Sequence, residues 1–157
     1  MRRIIPFIIA ASIVTACSSI DCPLNNVVMT KYVFGGNVDV FEDTLSVSIY
    51  RPELTDTLLL DHLTDAKDFL LPVSYHQSTD VLFFTFTGDG VTQTDTVTIE
   101  KTNTPHFESV DCGPAFFHTI DHVSWTNNAI DSIVITKAEV NHDTSKGHLL
   151  LYLKRYR

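Results

Sequence analysis

The side chains best suited to chemistry lie in the segment HTIDH, residues 118–122. His118 and His122 are four apart, with Asp121 between them. On a helix the two imidazoles would share a face and could hold zinc, as H-E-x-x-H sites do. The flanking Phe116, Phe117, Ile120, Val123 and Trp125 read instead as a strand. On a regular strand, residues four apart share a face but stand about 13 Å apart, too far for one ion. The Glu of the zinc motif is missing and no third ligand is suitably spaced. No metal, no cofactor and no catalytic residue is therefore expected. The sequence also lacks a G-x-S-x-G elbow, a free nucleophilic cysteine and a phosphate-cradling glycine loop, and Gly88-Asp89-Gly90 is too short for a calcium loop. His118, Asp121 and His122 carry the alternative reading: a small-ligand or metal-binding protein, or an enzyme, with all three around one concave site. His62, His76, His106, His142 and His148 are scattered and read as surface or rim residues.

The three cysteines have separate contexts. The chain opens MRRIIPFIIAASIVTAC, with Arg2 and Arg3 before an apolar run from Ile4 to Val14 and then small residues. That is the plan of a secretory signal, and the run is too short to span a bilayer as a helix. VTAC, residues 14–17, resembles the lipobox of bacterial lipoproteins. The resemblance implies cleavage after Ala16 and acylation of Cys17, whose acyl chains would hold the protein on a membrane. The alternative is an ordinary signal with a cysteine nearby. On the lipoprotein reading residues 1–16 are the signal peptide, 17–22 the lipidated N-terminus and tether, and 23–157 one β-sandwich domain. Cys22 and Cys112 are then left over, and in an oxidising compartment such a pair usually forms a disulfide. Closing so long a loop contributes about 4–5 kcal/mol in the chain-entropy model. Both cysteines sit among turn-formers, DCP and DCGP. A thiolate metal site is the alternative, without the C-x-x-C spacing such sites usually show.

The formal charge is −8, and loss of Arg2 and Arg3 with the signal takes it to −10. An acidic chain argues against nucleic acid and anionic membrane surfaces as partners. The basic ending LKRYR reads as a solvated strand end.

The elements that must position these residues are β-strands. TLSVSIY (44–50) alternates strictly, with Leu45, Val47 and Ile49 on one face, and TVTIE (96–100) repeats the pattern. VLFFTFT (81–87), VVMTKYVF (27–34) and AFFHTIDHVSW (115–125) add three more strands. IDSIVIT (130–136) and HLLLYLK (148–154) are near-continuous apolar runs, expected to be covered on both faces. Gly35-Gly36-Asn37, Gly88-Asp89-Gly90 and Asn127-Asn128 are turns. Residues 54–71 place Leu59, Leu63, Ala66 and Leu70 at helical spacing, yet strand, turn at Thr64–Asp68 and strand into Pro72 is the preferred reading over a short helix. Seven or eight short strands predict an all-β, single-domain antiparallel sandwich, immunoglobulin-like or related, with a small β-barrel as the alternative.

Four tripeptides repeat Asp, hydroxyl residue, aliphatic: Asp43-Thr44-Leu45, Asp56-Thr57-Leu58, Asp95-Thr96-Val97 and Asp131-Ser132-Ile133. Turn chemistry explains part of this, with Asp closing a turn before a strand. The pattern also resembles the O-glycosylation sequon of exported Bacteroidota proteins, which makes Thr44, Thr57, Thr96 and Ser132 candidate sites. CSSIDCPLNN (17–26), PHFESVDCGPAFFHTI (105–120) and AIDSIVI (129–135) together resemble an uncharacterised lipoprotein family of gut Bacteroidota, a domain of unknown function. The resemblance spans nearly the whole mature chain and implies export, lipidation and a single domain, with no activity attached. The expected function is a non-enzymatic, lipid-anchored binding or accessory module at the outer membrane, with the membrane and an envelope protein or glycan as partners. Surface-exported lipoproteins of this group tend to carry acids after the lipidated cysteine. Here SSID (18–21) holds one acid, which tilts the reading to the periplasmic face over the cell surface.

Overall fold

Two-residue periodicity builds most of the structure, a computed structural model that describes residues 27–156 apart from 37, 39, 53 and 108–111. Among the described residues the strands are β1 (Met29–Phe34), β2 (Thr44–Ile49), β3 (Thr57–Leu63), β4 (Asp68–Pro72), β5 (Thr79–Gly88), β6 (Val91–His106), β7 (Ala115–Trp125), β8 (Ile130–Ile135), β9 (Glu139–Val140) and β10 (Leu149–Leu153). They form a four-stranded sheet in the order β4-β1-β10-β8 and a six-stranded sheet in the order β3-β2-β5-β6-β7-β9. The expected all-β sandwich is present. Its six-stranded order and the parallel β1-β10 pair differ from the immunoglobulin layout, so the sandwich is of a related kind. Pairing is antiparallel except between β1 and β10, which run parallel with Tyr32 opposite Leu149 and Phe34 opposite Leu151.

The core lies between the sheets. Tyr32 and Phe34 of β1, Phe69 of β4, and Phe84 and Phe86 of β5 meet there with Leu45, Val47 and Leu151. Tyr32 stacks on Phe69 at 4.9 Å and Phe34 on Phe41 at 4.6 Å between ring centroids. Such pairs contribute about 0.5–1.5 kcal/mol each beyond the area they bury.

The ambiguous stretch is strand, turn and strand, with Asp65 in the left-handed region (φ 53°) at the turn. Asp89 and Gly90 both have positive φ, 49° and 75°, as a two-residue hairpin turn that matches strand twist requires. Two expectations are corrected. β8 is an edge strand, not covered on both faces, with Val134 45% and Ile135 37% exposed. The 96–100 strand is the middle of β6, whose polar first residues Thr92, Gln93 and Thr94 pair along β5 as an exposed arm.

The sandwich has two distinguishable ends. At the near end the chain emerges at Val27, next to the ends of β2, β4 and β6 and the starts of β5 and β7. The far end holds the Asp89-Gly90 turn, residues 127–129 and the 3-10 turn Lys154–Tyr156. Among the described residues no helix is long and apolar enough to cross a membrane.

Candidate functional site

A β-bulge decides the fate of HTIDH. Glu100 pairs with His122 and Lys101 with Ile120, leaving Asp121 as an extra residue in β7. One extra residue resets the two-residue alternation. His118 and Ile120 therefore point inward, while Asp121 and His122 are both exposed before Val123 turns in again. The expectation that the two histidines share a face is wrong, because it assumed a regular strand. Asp121 accepts a hydrogen bond from the Thr102 hydroxyl at 2.9 Å on the outer surface. His118, Asp121 and His122 do not form one site. Among the described residues no group of three or more His, Cys, Asp or Glu is placed to hold a metal.

His118 belongs to a buried polar cluster near the near end. Lys101 Nζ lies 2.9 Å from Asp80 Oδ2, with the two side chains 1% and 5% exposed, and also donates to the Gln77 carbonyl at 2.9 Å. Asn103 Nδ2 donates to the carbonyls of Tyr75 and Gln77 at 3.2 and 3.0 Å, which leaves its Oδ1 as an acceptor. His118 Nδ1–H donates to that oxygen at 2.7 Å, which makes Nε2 the lone-pair nitrogen of the neutral ring. Burial pushes the His118 pKa down to about 4; the Lys101 charge adds to this and Asp80 opposes it. Burial, and then the Asp80 charge, raise the Tyr32 hydroxyl well above the ordinary tyrosine range. Between Thr30, Tyr32, Asp80, Lys101 and His118 lies a cavity of about 10 Å³, room for one water and for no substrate.

His148 overturns its reading as a surface residue. It is fully buried, and its Nδ1 accepts the Lys31 backbone N–H at 2.8 Å. Its own backbone joins Lys31 to Thr136 and Lys137. Burial holds its pKa below the ordinary value, with the Lys137 charge adding to the effect, and its Nε2 has no hydrogen-bond partner among the described residues.

The repeated tripeptides separate. Asp95 is fully buried inside β6 rather than closing a turn. It accepts the backbone N–H groups of Asn128, Ala129 and Ile130 at 2.6–2.8 Å and the Thr126 hydroxyl at 2.8 Å. Thr57 is exposed, whereas Thr44, Thr96 and Ser132 are half-buried. Cys112 is disulfide-bonded. Cys17 and Cys22 lie outside the described residues.

A second concavity lies at the far end, a pocket of about 330 Å³. Phe41, Phe86 and Leu153 form its apolar floor, and Val91, 58% exposed, stands at its mouth. Its polar wall is Arg155, whose Nη1 lies 3.0 Å from Asp43 Oδ1 and whose Nη2 meets Asp89. Gly88 makes room for this pair: a Cβ there would fall 2.0 Å from Asp43 Oδ1. Arg155, read from sequence as part of a solvated strand end, is thus a wall of the pocket. Nothing local in the sequence places residue 155 beside residue 43. A pocket of this size, apolar with a few converging polar groups, is typical of small-ligand sites.

Fold and site together define a two-sheet β-sandwich domain with an open concavity at one end. Residues 44–153 match the family of unknown function DUF6452, and the chain belongs to that family. No enzymatic family is indicated. No curated protein and no solved structure matches the chain.

Proposed function

We propose that this protein is a non-enzymatic binding module of the cell envelope, anchored by lipid on Cys17 and presenting the far-end pocket to its partner. The observation that carries this reading is the position of the pocket, at the end of the sandwich opposite Val27, where the chain leads back toward Cys17. A tethered domain so built offers its concavity away from the membrane. The pocket matches one sugar unit of an envelope glycan or one large side chain of an envelope protein, with Arg155, Asp43 and Asp89 to orient it. Cys22 is the proposed partner of Cys112, which would fasten the start of the mature chain to the loop before β7. Among the sequon matches Thr57 is the proposed glycosylation site, because it alone of the four is exposed. The single acid after Cys17 supports the periplasmic face of the outer membrane.

A photo-crosslinking residue in place of Val91, compared with one in place of His122 on the outer surface, tests the assignment in native cells. A recurring adduct from position 91 that disappears with Arg155→Glu is the expected result. Equal, unspecific adducts from both positions would overturn it. Loss of labelling by a palmitate analogue in Cys17→Ser tests the anchor separately.

A further inference from the structure

The near end carries a concentration of exposed apolar side chains that the far-end pocket leaves unexplained. Val27 is 49%, Tyr50 48%, Leu54 70%, Tyr75 48% and Phe107 64% exposed. They are neighbours: Val27 and Tyr75 line one shallow groove, Tyr50 and Leu54 an adjoining one, and Arg51 and His76 line both. Tyr75 stacks on Phe116 at 4.8 Å, and Phe107 follows His106, which pairs with Ala115 next to Phe116. By contrast the far end exposes one large apolar residue among those described, Val91. Aromatic and leucine side chains mixed with a cation are the composition of surfaces that settle into the headgroup region of a bilayer.

We infer that the near end is a bilayer-contacting surface, with Tyr50, Leu54, Tyr75 and Phe107 seated at the headgroup boundary and Arg51 among the phosphates. This rests on the Cys17 anchor proposed above. Val27 lies ten positions after Cys17, a reach of at most about 35 Å. The 16 residues of β6 alone span about 50 Å. The leash is therefore shorter than the sandwich, and the end it leaves from is the end it brings to the lipid. Phe107 lies five residues before Cys112, so the proposed pairing with Cys22 would shorten the leash further. A mature chain of charge −10 fits a zwitterionic surface, where adhesion comes from apolar burial and not from net attraction.

The test uses the full-length acylated protein reconstituted in phosphatidylcholine vesicles whose acyl chains are brominated near the carbonyl. The chain has one tryptophan, Trp125, which is partly buried against the core and pairs with Val97 in the middle of β6, and it serves as the internal control. Leu54→Trp and, independently, Tyr75→Trp should each add fluorescence that brominated lipid lowers about twofold, leaving Trp125 unchanged. Val134→Trp, on the outer face of the small sheet, should behave like Trp125. Vesicle-bound protein without quenching at 54 and 75, or with stronger quenching at 134, overturns the end-on contact and leaves the anchor intact. Protein that does not float with the vesicles overturns the anchor, and this inference with it.

Discussion

At the near end a buried carboxylate, Asp80, is met by the ammonium of Lys101, beside a histidine held neutral; at the far end Asp95 is met by three backbone N–H groups and a hydroxyl. Both carboxylates sit inside the sandwich, one on each strand of the β5–β6 hairpin. The difference is in what each partner can lose. Main-chain donors do not titrate and are fixed once the 128–130 turn forms. A lysine and a histidine answer to pH and to substitution. The far end, which holds the pocket, is thus built on invariant donors, and the near end on exchangeable ones.

The largest effect should come from removing one side of either arrangement. Asp95→Ala strands three N–H groups and a hydroxyl and should lower stability by about 4–5 kcal/mol in denaturant titration. Lys101→Met leaves Asp80 buried without its cation and should cost about 3–5 kcal/mol. The two then part: adding Asp80→Leu to Lys101→Met should recover most of the loss, since a buried ion pair is replaceable as a unit. If the double variant is no more stable than Lys101→Met alone, the near end is not exchangeable and the contrast fails.

A smaller effect separates the ends by pH. His118 has a folded pKa of about 4 against an ordinary 6.5. Between those values the unfolded chain binds more protons, so this contribution to stability is fully present above pH 6.5 and lost as pH falls toward 4. The loss is at most about 3 kcal/mol. His118→Gln should flatten the stability profile in that window, with a residual slope from His148, whose pKa is depressed in the same direction. An unchanged profile would remove His118 from the account.

The smallest effects belong to the pocket wall. Gly88→Ala forces the Asp43–Arg155 pair apart and should cost about 1–2 kcal/mol. Arg155→Ala, whose side chain is 46% exposed, should cost no more than about 0.5 kcal/mol in thermal melts while reshaping the mouth. A large loss from Arg155→Ala would make Arg155 a structural member of the far end and weaken its assignment to binding.

Alternation made the strands legible wherever one face is buried and the other wet, as with Leu45, Val47 and Ile49. It also resolved residues 54–71, where helical spacing of the leucines competed with strand-type neighbours. It could not reveal the bulge at Asp121, since a bulge is defined by the partner strand, here Glu100 and Lys101. That one residue decided whether His118 and His122 met. Asp95 was hidden for a related reason. Its four donors lie 31 to 35 positions away, so locally it reads as the end of a turn. The exposure of β8 follows from strand order, which an apolar run does not encode. The pocket was out of reach altogether, for it is assembled from residues of 41–43, 86–93, 129 and 153–155, brought together by the closing of the sandwich.

The parallel pairing of β1 with β10 has a kinetic consequence. The strand at the start of the described chain is neighboured by the last one, with Lys31 and His148 joined across 117 positions. Contacts of such sequence separation form slowly, because the intervening loop must be closed before they stabilise anything. β10 lies between β1 and β8, so the four-stranded sheet has no centre until the C-terminal strand arrives. A chain interrupted before Leu149 would hold a β1–β4 pair and an isolated β8, with bare strand edges open to aggregation. The small sheet therefore records whether the polypeptide has been delivered as far as Leu153.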